Sequence, residues 1–175
     1  SKLDMPLVLK EIVEMVSSIT EADACLLYLL DESCQELVLQ ASKNPHPKLI
    51  GRVKLEVGEG ITGWVAREQK VVAIAKDAYK DPRFKLFHGL PEDRYEAFLS
   101  MPVISRGEVI GVINVQHKKP HAHSEGEQAL LTTVSQQVGG AIENARLYEA
   151  MKKKAMQVQT LSRVSHTITS NRYLE

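Results

Sequence analysis

Residues 97–105 read Ala97-Phe98-Leu99-Ser100-Met101-Pro102-Val103-Ile104-Ser105, and residues 108–116 read Glu108-Val109-Ile110-Gly111-Val112-Ile113-Asn114-Val115-Gln116, with Arg106-Gly107 between them. Two long apolar segments joined by two residues, the second a glycine, predict a β-hairpin. Such a hairpin needs further strands on its flanks. Upstream, Ala24-Cys25-Leu26-Leu27-Tyr28-Leu29-Leu30 is apolar on both parities and reads as a central strand covered on both sides. Asp31-Glu32-Ser33 supplies turn chemistry, and Glu36 to Ala41 reads as the returning strand. Residues 52–57 (Arg-Val-Lys-Leu-Glu-Val) alternate as a half-exposed strand does, and Val71 to Ala75 reads as a further buried one.

Helices flank these strands. Leu7, Val8, Ile12, Met15, Val16 and Ile19 recur at steps of three and four, which predicts an amphipathic helix over 4–19 with Asp4 as its cap and Pro6 in its first turn. A short helix over 61–69 packs Trp64 and Val65. The order is helix, three strands, helix, strand, long loop, two strands: an α+β fold built on an antiparallel sheet.

The composition narrows the function. The chain has 175 residues, 43% hydrophobic, with 22 basic side chains against 22 acidic ones. That length gives one domain with a self-sufficient core. Zero net charge weighs against nucleic acid as a partner, and no apolar run approaches the roughly 20 residues of a membrane span. Cys25 and Cys34 are too few and too close for a disulfide framework, so a reducing, cytoplasmic setting is expected.

The last third differs from the rest. Ser124-Glu125-Gly126-Glu127 has the form of a capping box, in which Ser124 and Glu127 satisfy free amides reciprocally. A stripe follows through Leu131, Val134, Val138, Ala141, Ala145, Tyr148, Met151, Ala155, Val158 and Leu161, and no proline interrupts residues 121–175. A helix of about 40 residues would run about 60 Å, beyond the width of the preceding domain. The spacing is that of a coiled-coil seam whose register slips at Ala145, Tyr148 and Met151. A lone projecting helix would expose Met151, Val158, Leu161 and Ile168, so a homodimer is expected, through Val8, Ile12 and Met15 of the first helix and Leu131, Val134, Val138, Ala145, Tyr148 and Met151 of the last. The division expected is 1–150 as one globular domain and 151–175 as a helical linker.

The segment from Lys76 to Glu96 is polar, irregular and carries Phe84, Phe87 and Tyr95, three of the nine aromatic residues. A loop of that length in a compact domain suits a lid over an apolar pocket. Pocket candidates are Trp64, Asp77, Arg83, Phe84, Phe87, Tyr95, Phe98, Met101 and Ile113, with no cofactor assigned beyond an unknown small molecule. The alternative is that the aromatic residues fill the space as closed core. His117, His121 and His123 fall within seven residues, but their spacing is not a zinc pattern and no carboxylate or thiolate joins them in sequence, so the expectation is a solvated loop and no metal. Neither a phosphate-cradling loop nor a Ser-His-Asp order emerges, so no catalytic residue is assigned.

Five strings in order carry a family resemblance: Asp23 to Asp31; Gly58-Glu59-Gly60-Ile61-Thr62-Gly63-Trp64-Val65-Ala66; Asp77 with Asp81-Pro82-Arg83-Phe84; Met101-Pro102-Val103-Ile104; and Gly111-Val112-Ile113-Asn114-Val115-Gln116. Together they resemble the GAF domain family, over roughly residues 5–150. Residues 94–99 (Arg-Tyr-Glu-Ala-Phe-Leu) are most similar to the N-terminal GAF domains of nitrogen-type phosphoenolpyruvate-protein phosphotransferases, and bacterial sensor proteins carry similar domains. The resemblance implies a profilin-like sheet of five or six strands, terminal helices packed on one face, a ligand cavity on the other, and a non-catalytic sensory or dimerising role. It also implies an output domain in the same polypeptide beyond residue 175, a phosphotransferase or kinase being candidates. The family's cyclic-nucleotide signature is matched at Asn114 and Lys118 or Lys119 but lost at His123 and Gly126-Glu127. A bilin attachment would need a cysteine in the lid, where there is none. The family's free methionine sulfoxide reductase would need an exposed thiolate, and Cys25 sits mid-strand while Cys34 sits in a turn.

Overall fold

The computed structural model of the chain describes residues 4–44, 46–85 and 94–174. The elements are α1 (Met5–Thr20), β1 (Ala24–Leu30), β2 (Glu36–Ser42), β3 (Lys54–Glu56), α2 (Gly60–Glu68), β4 (Val72–Ile74), β5 (Ala97–Ser105), β6 (Glu108–His117) and α3 (Glu125–Leu174). The strands form one six-stranded sheet in the order β3-β2-β1-β6-β5-β4, each neighbouring pair antiparallel. The fold is α+β, as expected.

The β5–β6 hairpin closes with Ser105 opposite Glu108. Arg106 and Gly107 both have positive φ, 53° and 78°, so the turn follows the right-handed twist of its strands. At β3 the ladder is shorter than the alternation suggests, because residues 46–53 wind into successive turns with Leu49 and Ile50 both donating to the His46 carbonyl. Asp4 stands before α1 with extended backbone, but its side chain does not cap the helix. At α3, Ser124 Oγ accepts from the Glu127 N–H at 3.1 Å as a capping box requires. The Glu127 carboxylate completes no box; it turns to His123 Nδ1, 3.1 Å away.

The sheet divides the interior into two cores. On one face Cys25, Leu27, Leu29, Leu99, Met101, Val103, Ile113 and Val115 meet Val8, Ile12, Val13 and Val16 of α1 and Leu131, Val134, Val138, Ile142 and Ala145 of α3. α3 comes so close to the sheet at Gly139 that a Cβ there would collide with the Ile104 carbonyl oxygen. On the other face Leu26, Tyr28, Leu37, Leu39, Leu55, Phe98 and Val112 meet Ile61, Val65 and Ala66 of α2.

α3 is longer than its pattern predicts. Its 50 residues give a rod of about 75 Å, unbroken at residue 150. From Glu149 to Asn171 every residue is exposed. This corrects the dimer set: Val8, Ile12, Leu131, Val134, Val138 and Ala145 are each at most 8% exposed and serve the internal core, because the first half of α3 is needed to cover the sheet. Tyr148 is half-buried. Met15 and Met151, at 42% and 70% exposure, are open.

Candidate functional site

The face carrying α2 holds a small cavity. Strand alternation sends Phe98, Asn114 and Gln116 to this face together with Leu26 and Tyr28 of β1, and all five line a cavity. Leu55, the start of α2 (Gly60, Ile61, Thr62), Phe84 and Lys85 complete the wall. Inside the floor, Ser100 Oγ donates to Asn114 Oδ1 at 2.7 Å, and Asn114 Nδ2 donates to Thr62 Oγ1 at 2.8 Å. This buried chain ties β5 and β6 to α2, and each member answers another, as buried polar groups require.

The cavity measures about 20 Å³. One water fits in that space, whereas drug-sized ligands occupy about 300–1,000 Å³. Phe84 fills it from above, its ring edge-on to Phe98 at 6.3 Å between centroids and 84° between planes. The Lys85 ammonium is paired with Glu59 at the α2 N-cap position.

The expected pocket residues separate into groups. Phe84 and Phe98 line the cavity. Met101 and Ile113, opposite one another in the ladder, lie on the other face of the sheet among α1 and α3, and their placement in the pocket is corrected. The parity of β5 and β6 decides this, since Ser100 and Asn114 occupy the cavity side. Trp64, Asp77, Arg83 and Tyr95 are not among the residues that line the cavity. The Arg83 guanidinium stands 4.6 Å from the centre of the Trp64 ring and pairs with Asp81 Oδ2 at 2.8 Å. Hydrogen bonds from Arg83 hold the Asp81 carboxyl below the usual carboxylate range. Asp77 has φ 54° and its N–H donates to Glu96 Oε2 at 2.8 Å, which pins the start of the loop to its end. Lys118 Nζ lies 5.9 Å from the Tyr95 ring centre. Phe87 lies outside the described residues.

The thiols differ. Cys25 is fully buried under α1, and burial pushes its pKa up to about 12. Cys34 is exposed in the β1–β2 turn at φ 59°.

The three histidines that fall within seven residues form a second cluster. His117, at the end of β6, His121 and His123 converge, and one ring nitrogen of each lies within 4.8 Å of the others. The His117 and His121 rings stack at 3.8 Å and 6°. His117 is 6% exposed and the His123 side chain 2% exposed, so the solvated-loop expectation is corrected. Burial lowers the His117 pKa, favouring neutral imidazole. A carboxylate does join the cluster: Glu127, four residues after His123 in the first turn of α3, contrary to the expectation that none would.

A six-stranded antiparallel sheet in this order, with two helices on one face and a short helix over a small cavity on the other, defines an α+β domain. The GAF domain model matches residues 4–142, and the chain belongs to the GAF domain family. The phosphoenolpyruvate-dependent phosphotransferase system protein of Escherichia coli is 31% identical over 127 residues, which are 73% of this chain and 17% of that protein. This chain thus spans about a sixth of that relative's length. Among solved structures, the GAF domain of an Acinetobacter phosphoenolpyruvate-protein phosphotransferase is 33% identical with a TM-score of 0.73, covering 84% of this chain and 87% of that one. The GAF domain of a Coxiella burnetii phosphoenolpyruvate-protein phosphotransferase is 31% identical with a TM-score of 0.76 and the same coverage. Among the described residues, no helix is long and apolar enough to cross a membrane.

Proposed function

We propose that this chain is a non-catalytic regulatory module that pairs with a second copy of itself along α3 and transmits changes in that pairing to an output domain in the same polypeptide. The observation that carries it is the exposed stripe of α3. Leu147, Met151, Val158, Leu161 and Ile168 are 53%, 70%, 58%, 69% and 62% exposed. With Lys154 and Ser165 they form a run of alternating four- and three-residue steps, the spacing of a two-stranded seam. Each such side chain contributes about 1.5–3 kcal/mol when fully buried. A groove of about 380 Å³ between α1 and α3, with the exposed Met15 and Ala141 on its rim over the core residues Val8, Ile12 and Val138, lies at the domain end of the projecting helix. Two copies set side by side would cover stripe and groove together.

In this reading the cavity under Phe84 acts as packed core, which favours a dimerising spacer over a ligand sensor. A small molecule larger than water would have to displace Phe84 from Phe98. Relatives bearing phosphotransferase names support an output domain of that class. The test is light scattering on the 175-residue chain and on Leu161→Glu: a dimer that the charge converts to monomer supports the proposal, and a monomeric parent chain refutes it.

A further inference from the structure

The histidine cluster has the attributes of a metal site. Its three rings come from two stretches that the fold, not the sequence, brings into register. β6 delivers His117, and the following turn doubles back so that His121 N–H donates to the Ala75 carbonyl beside β4 at 2.8 Å. Gln128 Nε2 donates to the His123 carbonyl at 3.1 Å and fixes that residue against the first turn of α3.

Among the described residues, His117 Nδ1, His121 Nε2 and His123 Nε2 are buried and have no hydrogen-bond partner. Leaving buried polar atoms unanswered costs about 1–3 kcal/mol each, so three in one place call for an explanation. The opposite nitrogen of His117 is already engaged, and that of His123 faces a carboxylate. His117 Nε2 lies 3.0 Å from the Thr20 carbonyl oxygen, where it donates and leaves Nδ1 with its lone pair. His123 Nδ1 lies 3.1 Å from Glu127 Oε1, close to pairing though not aligned as a full hydrogen bond. A backbone carbonyl behind one imidazole and a carboxylate behind another is how proteins fix the tautomer of metal-bound histidine.

Geometry and access agree. Four-coordinate zinc, with bonds of about 2.0–2.1 Å to nitrogen, needs its ligand nitrogens about 3.4 Å apart. The nitrogens must close from as much as 4.8 Å, and because the His117 and His121 rings lie in near-parallel planes at 3.8 Å, one ring must turn out of the stack before both in-plane lone pairs meet a single ion. A cleft of about 140 Å³ lined by Ala73, Ile74, Ala75, His121, Ala122 and His123 opens onto the cluster and leaves room for a water ligand. Three imidazoles without a thiolate suit zinc, nickel or copper rather than calcium or magnesium.

We propose that His117, His121 and His123 bind one divalent transition-metal ion of the zinc type, with Thr20 and Glu127 orienting the outer two imidazoles and a solvent position open to the cleft. The ion would join the end of α1, the end of β6 and the first turn of α3, so its occupancy would set how firmly α3 is anchored to the sheet. This inference does not depend on the dimer reading.

Calorimetric titration of the chelator-treated 175-residue chain with zinc sulfate tests it. One ion per chain is expected, with His121→Ala and His123→Ala each weakening binding at least about a hundredfold and Glu127→Gln weakening it about 10- to 100-fold. His166→Ala, on the exposed part of α3, should bind as the parent does. X-ray absorption of the zinc-loaded parent chain reads the site without any substitution and should show three imidazole nitrogens at about 2.0–2.1 Å. Absence of stoichiometric zinc binding by the parent chain, a shell with fewer than three imidazoles, or equal loss from His166→Ala and His121→Ala would each overturn the assignment.

Discussion

The two halves of α3 have similar helical chemistry and opposite fates. From Leu131 to Ala145 the apolar side chains are at most 8% exposed where they meet the sheet and α1. From Leu147 to Ile168 the leucine, methionine, valine and isoleucine side chains are at least 50% exposed. The first stripe runs 131, 134, 138, 142, 145 and the second 147, 151, 158, 161, 168, on a different side of the helix. A single seam would have had to serve both sheet and partner. Two seams let the helix satisfy its own domain first and leave a separate face for a second chain.

Removing the second half should break the comparison most sharply. A chain ending at Leu147 loses nothing from its cores, so it should keep its fold by circular dichroism. Its dimer dissociation constant should rise about a hundredfold or more, equivalent to about 2.7 kcal/mol or more. Sedimentation velocity across a concentration series measures this, and a truncated chain that still dimerises as tightly would move the interface to the groove between α1 and α3.

Single leucines on the two seams should then behave differently. Leu131→Ala, at a position 1% exposed, should cost about 2–5 kcal/mol of folding stability in urea denaturation. Leu161→Ala should leave the protomer within about 0.5 kcal/mol and change only the concentration dependence of unfolding. Equal losses at both positions would mean that the projecting half folds back on its own domain.

The adjacent glycines sharpen the contrast to one residue. Gly139→Ala drives a Cβ into the Ile104 carbonyl and should cost about 1–3 kcal/mol. Gly140, with nothing within 4 Å of its would-be Cβ, should gain up to about 1 kcal/mol from alanine in thermal unfolding. A penalty at Gly140 that disappears in the chain ending at Leu147 would place Gly140 inside the dimer seam.

How much of this was legible in sequence depended on whether a pattern had one face or two. The β5–β6 hairpin, α1 and the start of α3 could be read because a glycine turn, a single apolar stripe and a serine cap each admit one conformation. Met101 and Ile113 were misplaced because β5 and β6 are apolar on both parities, as strands buried on both faces are. The signal that resolves parity is polar: Ser100, Asn114 and Gln116 share one face, and a buried polar set there marks the side that meets Thr62. Six of the nine dimer candidates sit in the core for a related reason, since heptad spacing is the same for a helix covering a sheet as for one covering a partner. The histidine cluster was hidden by topology. Nothing in the spacing of 117, 121 and 123 brings Thr20 alongside, although the four-residue step from His123 to Glu127 at a helix start pointed to the carboxylate.

The smallest effect expected concerns the two thiols, which report whether the α1–α3 face is sealed. Cys25 lies under that face with its pKa pushed up to about 12, so it stays protonated and shielded at pH 8. Cys34 stands exposed in its turn. Titration with a chromogenic disulfide at pH 8 should count one thiol in the native chain and two in urea, and Cys34→Ser should abolish the native reaction without changing stability by more than about 0.5 kcal/mol. The sign of the linkage follows from burial. The unfolded thiol ionises near 9 and the folded one near 12, so the stabilisation is fully present below pH 9 and is lost as pH rises from 9 towards 12. A native Cys25 that reacts at pH 8 as fast as Cys34 would mean that α1 and the first half of α3 open readily from the sheet, and the distinction between a packed half and a projecting half would no longer hold.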